Sequence, residues 1–108
     1  MKKPKIPFLS RPHTTPIKDG YQWEQFKVGT CTGLWCADPK GYIILAIENK
    51  KHGNGHFDMT MQWFEQSARR DHKPIIFFEV WNPIFKKHLI EKRQFYDIGN
   101  NNLIKNFI

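Results

Sequence analysis

The sequence predicts a mixed α/β (α+β) domain that combines a central parallel strand pair with two helices and short N-terminal strands. Residues 42–47 are a continuous apolar run and residues 75–80 a second, short apolar run, and both predict buried strands. Between them, four apolar residues recur at steps of four, three and four, the spacing of one helix face: Phe57, Met61, Phe64 and Ala68. A strand, a helix and a second strand in succession favour parallel pairing through a right-handed crossover.

Turn-forming and helix-capping residues separate these elements. Residues 38–41 read Asp-Pro-Lys-Gly and predict a turn before the first apolar run. Pro74 ends the first helix, because proline removes a donor and clashes with the preceding turn. Asn82 precedes a proline and is predicted to cap a second helix that ends near Arg93. We expect a last strand at residues 95–98, followed by an Asn-rich turn and an apolar end.

The N-terminal part differs from the rest in composition. Four prolines lie within residues 1–20, where each one removes a hydrogen-bond donor and restricts its predecessor. This segment is predicted to be an extended basic arm, and residues 21–108 are predicted to form a single domain. Aromatic and β-branched residues within 23–28 and 30–35 predict the short N-terminal strands.

Charge and the small number of special residues restrict the function classes. The formal net charge of +7 favours anionic partners such as nucleic acid or phosphorylated cofactors. No apolar run approaches the ~20 residues that a membrane span requires, so we expect no membrane partner and a cytoplasmic location. Cys31 and Cys36 are expected to be reduced thiols. His52 and His56 are four residues apart, but glycines interrupt a helix there and no third ligand is suitably spaced, so no metal site is predicted.

Residues 50–55 carry the main functional signal. They read Lys-Lys-His-Gly-Asn-Gly and lie between a buried strand and the helix predicted over residues 56–70. Asn54-Gly55 would also suit a hairpin turn, but these residues do not separate two matched strands. Gly53 and Gly55 allow the main chain to approach a ligand closely, and a helix N-terminus attracts phosphate. The segment is therefore predicted to be a phosphate-binding loop.

The order and spacing of residues 42–97 resemble the GNAT superfamily of acyl-CoA-dependent N-acyltransferases. Residues 50–55 match its loop of form (Gln/Arg)-x-x-Gly-x-(Gly/Ala), with Lys50 in the first place. Residues 89–95, Leu-Ile-Glu-Lys-Arg-Gln-Phe, are similar to the family's Leu-Tyr-Glu-Lys-x-Gly-Phe. Two positions depart from this pattern. Ile90 stands where many members have a tyrosine that protonates the departing thiolate, and a glutamine replaces the usual glycine.

The resemblance implies a GNAT-like mixed sheet whose central parallel pair splays apart to bind acetyl-CoA or another acyl-CoA. The residues implied in cofactor binding belong to the splayed strand, the glycine loop and the second helix: Leu45, Ala46, Ile47, Lys50, Lys51, His52, Gly53, Asn54, Gly55, His56, Asn82 and Lys86. The thioester carbonyl would meet an N–H near residues 45–47, the pyrophosphate would meet the loop, and Asn82 would contact pantetheine. For the transfer step, His88 is the candidate proton donor and Glu79 a candidate base acting through water.

Several alternatives stay open at the level of sequence. Glu48 or Glu24 could replace Glu79 as the base, and the amine acceptor could belong to a protein or to a small molecule. The fold could also serve without turnover as a module that binds nucleic acid or a partner protein. The missing tyrosine and the short region before residue 42 favour this second class. Its candidate anion-binding groups are the basic arm and four cations: Arg69, Arg70, Lys86 and Lys87. The small, Lys/Asn/Ile-rich chain would suit a virus-encoded protein, as a monomer or a homodimer.

Overall fold

The computed structural model describes residues 6–12 and 22–107, which form a seven-stranded mixed sheet with two helices. In chain order the elements are β1 (Leu9–Pro12), β2 (Glu24–Val28), β3 (Cys31–Asp38), β4 (Gly41–Asn49), α1 (His56–Asp71), β5 (Ile75–Phe77), α2 (Pro83–Arg93), β6 (Tyr96–Gly99) and β7 (Asn102–Lys105). The sheet order is β1-β2-β3-β4-β5-β7-β6, and every neighbouring pair is antiparallel except β4 and β5. The mixed α/β (α+β) class, the two helices and the central parallel pair are confirmed.

Part of the predicted basic arm belongs to the sheet. Strand β1 pairs antiparallel with β2 and forms one edge. Phe8, the residue before it, stacks on Trp63 of α1 with ring centroids 3.8 Å apart. The extended conformation predicted for the arm therefore holds for this stretch, and it is anchored by an aromatic contact. The rest of the predicted arm, and residues 21 and 108, lie outside the described residues.

Two features of the C-terminal half differ from the sequence prediction. Strand β5 ends at Phe77 rather than at residue 80, because Glu79 adopts the left-handed conformation with φ 57° and turns the chain. The Asn-rich turn is confirmed, since Asn100 and Asn101 have φ 55° and 61°, values that asparagine tolerates. The apolar segment after this turn forms strand β7, which inserts between β5 and β6.

The main core lies between one face of the sheet and the two helices. The apolar face predicted for the first helix is confirmed, because Met61, Phe64 and Ala68 are fully buried. Leu89 of α2 is the buried contribution of the second helix. Burying one large apolar side chain of this kind contributes about 1.5–3 kcal/mol relative to leaving it in water. Helix α1 is thereby fixed across the strands that hold the candidate site.

The opposite face of the sheet carries a second, smaller apolar cluster. Trp23, Cys36 and Ile43 are its buried members; Cys36 and Ile43 reach this face because side chains alternate between the two faces along each strand, and Trp23 lies just before β2. Four partly buried residues surround them: Leu34, Leu45, Ile76 and Phe78. This face thus continues from the apolar centre of β3–β5 towards the polar surface of β1 and β2.

The beginning of β4 is tied to the end of α1. The Tyr42 hydroxyl donates to Asp71 Oδ2, and Arg70 Nε donates to Asp71 Oδ1 at 3.1 Å. Hydrogen bonds from Arg70 and then Tyr42 lower the pKa of Asp71 from 3.8 to about 2. Burial, followed by the neighbouring carboxylate, raises the pKa of Tyr42. This end of the parallel pair is therefore closed by side chains as well as by the sheet.

Candidate functional site

The parallel strands β4 and β5 part after a short paired stretch. They pair at Tyr42–Ile75, Ile43–Ile76 and Ile44–Phe77, and the last bond runs from the Phe78 N–H to the Ile44 carbonyl at 3.0 Å. Strand β4 continues to Asn49, whereas β5 has already ended. Within the described residues, the edge of β4 from position 45 onward therefore has no strand partner on the β5 side. An unpaired strand edge offers main-chain donors and acceptors to a ligand.

A β-bulge lies in the unpaired part of β4. Leu45 is opposite Leu34, but Glu48 is opposite Thr32, so β4 contains one extra residue between these pairs. Ala46 has a φ of 55°, a left-handed value that is uncommon outside glycine. Such a bulge bends the strand and redirects the main-chain groups beside it. The three strand residues predicted to meet the thioester therefore lie in or next to an irregular, exposed edge.

Gly33 of β3 allows the Phe26 ring and the bulged part of β4 to pack closely against the main chain of β3. A Cβ at this position would lie 2.7 Å from the Phe26 ring and 3.0 Å from the Ile47 Cα. The ring and the main chain of β4 fill the space that a side chain would need. The bulged strand is thus packed tightly on its covered face, while its edge remains free.

The predicted phosphate-binding loop follows directly after β4 and leads into α1. Gly53 and Gly55 have φ 81° and 80°, and no atom lies within 4 Å of the position that a Cβ would take at either residue. These glycines are needed for their backbone conformation, not for a tight fit. Gly55 precedes α1 and has no side chain to cap it; the His56 N–H donates to Asn54 Oδ1, and the N–H groups of Phe57 and Asp58 have no acceptor among the described residues and can meet an anion.

A hydrogen-bond network fastens this loop to the β2–β3 turn. His56 Nδ1 accepts from the Thr30 N–H at 3.0 Å, and Asn54 Nδ2 donates to Thr30 Oγ1 at 2.7 Å. The same hydroxyl donates to Asn49 Oδ1 at 2.7 Å, and the His56 N–H donates to Asn54 Oδ1 at 3.1 Å. The Thr30 bond requires Nδ1 to be an acceptor, which assigns the neutral ring its proton on Nε2. The side chains of Asn54 and His56 therefore shape the loop.

Thr30 is a site residue that the sequence interpretation missed. It lies 26 positions before His56 and reaches the loop only because β3 and β4 are paired. Gly29 gives the histidine its place, since a Cβ there would collide with the imidazole ring. Nothing in the local sequence around Thr30 indicates a contact at this distance.

The basic residues of the loop are exposed. Lys50, Lys51 and His52 are open to solvent, and none of them has an ion pair with a described residue. The Lys50 N–H is already bonded to the Thr30 carbonyl at 3.1 Å, and that of Lys51 lies 3.4 Å from Asn49 Oδ1. The lysines therefore contribute charge through their side chains, and among the described residues the loop N–H groups without an acceptor begin at His52.

Asn82 caps α2, as predicted from the sequence. Its Oδ1 accepts from the N–H groups of Ile84 at 2.9 Å and Phe85 at 3.2 Å. Only the amide NH₂ remains for another partner. Lys86 lies on the same helix, but its Nζ donates to Asn101 Oδ1 at 2.8 Å and is 3.8 Å from Asp97. The structure thus places Lys86 against the β6–β7 turn, where it is held by two partners.

Helix α2 is held beside the first turn of α1. The Arg93 guanidinium binds Asp58, and its Nη1 is 3.3 Å from Glu65 Oε1. Asp58 is the acidic residue of the first turn of α1. Because Arg93 compensates this carboxylate, Asp58 opposes an anion at the helix N-terminus less than a free carboxylate would.

The two candidate catalytic residues occupy different environments. His88 packs edge-on against Phe57 with ring centroids 5.8 Å apart, and its buried Nε2 has no hydrogen-bond partner among the described residues. Glu79 is exposed immediately beyond the parting of the strands, and its N–H donates to Asn102 Oδ1 at 3.0 Å. His88 thus lies beside the start of α1, and Glu79 at the carboxyl end of β5. Ile90, at the position of the family tyrosine, is 38% exposed.

The described part of the chain contains no cluster of metal-ligand side chains, and both of its cysteines are buried. Within residues 6–12 and 22–107, no three His, Cys, Asp or Glu side chains lie together as metal ligands. Cys31 and Cys36 are buried free thiols, and burial raises the pKa of both. Among the described residues, neither helix is long and apolar enough to cross a membrane.

Comparison with protein-family models, with curated proteins and with solved structures finds no match.

Proposed function

We propose that the protein is an acyl-CoA-dependent N-acyltransferase of the GNAT type, with acetyl-CoA or another acyl-CoA as donor. The observation that carries this proposal is the parting of β4 and β5 beyond Ile44, directly before the glycine loop and the N-terminus of α1. An extended ligand can enter such an opening as an added strand, with its anionic end at the helix. The splayed, GNAT-like form of the parallel pair is part of the proposal.

The glycine loop is proposed to hold the pyrophosphate. The main-chain N–H groups of His52, Gly53 and Gly55 would converge on the anion, because left-handed glycines turn successive amides towards one side. The dipole of α1 places about half a positive charge at the same point. Lys50 and Lys51 would add two exposed charges to the loop.

The unpaired edge of β4 is proposed to hold the amide-bearing arm of the cofactor. Main-chain groups of residues 45–49 would pair with the arm as they would with a neighbouring strand. The free amide NH₂ of Asn82 is available as a further donor at the start of α2. Lys86 is already engaged with Asn101, so binding the outer phosphate would require it to leave that partner or to share it.

The transfer step needs few groups from the protein. The bound cofactor supplies an activated acyl group, whose carbon forms a bond to the acceptor nitrogen as its bond to sulfur breaks. N–H groups near Ala46 and Ile47 would stabilise the negative charge on the acyl oxygen. Glu79, exposed beside the opening, would take the proton of the amine through water. A proton must return to the sulfur, and His88 is the candidate donor because Ile90 has none.

Equilibrium binding of acetyl-CoA to the native chain tests the cofactor site. Gly53→Ala forces a side chain into a left-handed conformation, and we expect the Kd for acetyl-CoA to rise roughly tenfold as the loop amides move. Gly99→Ala is the matched control: Gly99 has φ 91° and equally open surroundings, but it belongs to β6. Both variants should lose similar stability, and only the first should lose affinity.

No heat and no thermal shift at millimolar acetyl-CoA would end the proposal for this loop. Mass spectrometry of the natively purified protein provides a second readout. A retained CoA species would support the site without any assumption about the acceptor amine.

A binding module without turnover is the second candidate function. It is favoured by two exposed apolar side chains at the start of α2, Trp81 at 69% and Ile84 at 81%. An exposed indole can stack on a base, and Lys87 on the same helix can meet a phosphate. Arg70 offers less positive charge to a nucleic-acid phosphate than the sequence suggests, because its guanidinium is paired with Asp71.

Binding of single-stranded DNA or RNA at several salt concentrations tests this second function. A module of this kind should show steep salt dependence and should lose roughly 1–3 kcal/mol of binding free energy on Trp81→Ala. Unchanged mobility of DNA and RNA at low salt would count against it.

A further inference from the structure

A cleft of about 300 Å³ lies at the β1 edge of the sheet, on the face opposite α1. Six residues line this β1–β3 cleft: Leu9, Ser10, Arg11, Gln25, Lys27 and Thr32. Its volume is at the lower end of the range for small-molecule sites. None of the six belongs to β4, β5 or the glycine loop, so the cleft lining shares no residue with the proposed cofactor site.

The register of the strands places one row of chemically distinct side chains across this face. Leu9 is opposite Lys27, Lys27 is opposite Thr32, and Thr32 is opposite Glu48. Residues directly opposite each other in antiparallel strands project from the same face. An ammonium, a hydroxyl and a carboxylate therefore follow one another from β2 to β4.

The two cations of the cleft have no acidic partner within it. Arg11 is opposite Gln25 in the next row, so its guanidinium shares the cleft with Lys27. Neither cation makes an ion pair with a described residue. The nearest acidic side chain on β2, Glu24, belongs to the helix-covered face, where it accepts from Ser10 Oγ at 2.9 Å. The six lining residues thus include two cations without an ion pair and no acid, and the carboxylate of this row, Glu48, lies just outside the cleft, opposite Thr32 on β4.

We propose that the β1–β3 cleft binds a small zwitterionic molecule, with its phosphate or carboxylate on Arg11 and Lys27 and its ammonium directed towards Glu48. Adjacent strands are ~4.8 Å apart, so the main chains at Lys27 and Glu48 are about 10 Å apart. The two long side chains shorten this gap, and a linker of a few atoms spans it. Thr32 lies between the charges as a hydrogen-bond partner, and Leu9 provides an apolar contact for the linker.

A set of matched probes tests the two charges separately. O-Phosphoethanolamine carries both charges, ethyl phosphate lacks the amine, and ethanolamine lacks the anion. We expect O-phosphoethanolamine to shift the amide resonances of Lys27 and Thr32 in NMR titrations with a Kd on the order of 1 mM. Ethyl phosphate should bind roughly tenfold more weakly, and ethanolamine should not saturate. β-Alanine decides between a phosphate and a carboxylate as the preferred anion.

Substitutions at exposed residues test the roles proposed for Lys27, Arg11 and Glu48 in zwitterion binding, using the protein without acetyl-CoA. Lys27→Gln and Arg11→Gln should each weaken O-phosphoethanolamine binding roughly tenfold. Glu48→Gln should weaken it to the level of ethyl phosphate and leave ethyl phosphate itself unchanged. Lys40→Gln, at the exposed β3–β4 turn, is the control for net charge and should have no effect. All four positions are at the surface, where substitutions usually change stability by less than about 0.5 kcal/mol.

Three results would overturn the proposal: equal responses to all probes, loss of binding in Lys40→Gln to the same extent as in Lys27→Gln, or resonance shifts confined to other parts of the chain. Because acetyl-CoA is absent from these titrations, the cleft and the proposed transferase site can fail independently. A chain that binds acetyl-CoA but no zwitterion retains only the first proposal, and the reverse result retains only the second.

Discussion

The two ends of the β4–α1–β5 unit are built in opposite ways. At the closed end, where β4 and β5 begin, Tyr42 is bonded to Asp71 and its N–H to the Pro74 carbonyl at 2.9 Å. At the open end, the strands separate, and Ala46 and Glu79 both have left-handed φ values that oppose pairing. The closed end supplies stability, and the open end leaves main-chain groups and strained residues accessible. Strain of this kind persists only where surrounding structure enforces it.

The difference between the two ends shows where a ligand can bind without breaking contacts of the core. At the closed end, Tyr42 is bonded to Asp71 and to the Pro74 carbonyl, and Ile75 is fully buried, so a ligand there would displace existing bonds. At the open end, the β4 edge beyond Ile44 and the first turn of α1 after His56 present donors that have no acceptor among the described residues. A rigid platform with an unsatisfied edge is what a binding site for an extended ligand requires.

The largest expected effect comes from a core truncation at the closed end. Ile75 is fully buried at the start of β5, and Ile75→Ala should cost about 2–5 kcal/mol through lost burial and a residual cavity. Leu45→Ala, at the half-buried start of the open segment, should cost clearly less. Urea unfolding of both variants measures the difference. If both variants lost the same free energy of unfolding, the two ends would not differ in packing.

Removing His56 Nδ1, which accepts the hydrogen bond from the Thr30 N–H, should cause the next largest loss of stability. His56→Leu leaves the Thr30 N–H without its bond, and we expect a loss of about 1–3 kcal/mol. His56→Asn is the matched variant, because its amide oxygen can occupy the place of Nδ1 and restore the bond. Amide exchange at Thr30 should accelerate in the first variant and recover in the second.

This pair of variants also sharpens the functional proposal. If His56 shapes the glycine loop, acetyl-CoA affinity should fall with Leu and recover with Asn. Recovery of exchange protection without recovery of affinity would show that the loop conformation is not what the cofactor requires.

The closed end should carry a pH dependence at low pH. The pKa of Asp71 is lowered from 3.8 in the reference state to about 2, so its carboxylate contributes stability above pH 4. That contribution is lost as the pH falls from about 4 through about 2, when the folded protein also takes up the proton. Asp71→Asn should flatten this part of the stability profile measured by thermal unfolding between pH 2 and pH 5.

The hydrogen bond from Tyr42 to Asp71 should also lose its stabilising effect at high pH, when Tyr42 loses its proton. The raised pKa of Tyr42 means that its neutral form stabilises the fold below the ordinary tyrosine pKa, and this contribution is lost as the pH rises through the raised value. Tyr42→Phe removes the loss of stability at high pH and only part of the loss at low pH, because the hydrogen bond from Arg70 still lowers the pKa of Asp71, and it serves as the comparison for Asp71→Asn. A profile that stays unchanged in both variants would contradict the closed-end contact.

The smallest expected effect is a gain of stability at the open end. Glu79→Gly relieves the left-handed strain of a residue with φ 57°, and we expect a stabilisation of about 1 kcal/mol or less. The same change removes the candidate base, so acyl transfer should fall while acetyl-CoA affinity is kept. A stabilised variant with full activity would exclude Glu79 from the transfer step.

The sequence predicts a helix or a cap correctly where the whole pattern lies within one helix or at its end. The apolar spacing of Met61, Phe64 and Ala68 predicted a helix face, and Asn82 before proline predicted a cap; both features are observed. The apolar run predicts a strand to residue 80, whereas β5 ends at Phe77: Phe78 and Val80 continue the apolar pattern, but residues 78–80 leave the sheet. Only the contact of Glu79 with Asn102, and of Val80 with the Asn101 carbonyl, decides that turn.

The candidate site was predictable in part for the same reason. Two glycines between a strand and a helix identify a loop with free amides, and that information is contained in six consecutive residues. The partners of that loop were not predictable, because Thr30 reaches His56 only across paired strands. The engagement of Lys86 by Asn101 likewise depends on where β7 is inserted.

The sequence by itself determined the helices, the Asn82 cap of α2, the turns and the apolar runs of this protein. These features follow from the conformational preferences and spacing of neighbouring residues, which act over one or two turns of chain. Only the tertiary structure decided which strand edge stays unpaired, which side chains fasten the loop, and which charges meet in the β1–β3 cleft. Those outcomes depend on strand register and sheet order, which bring together residues far apart in the chain and leave no local trace in the sequence.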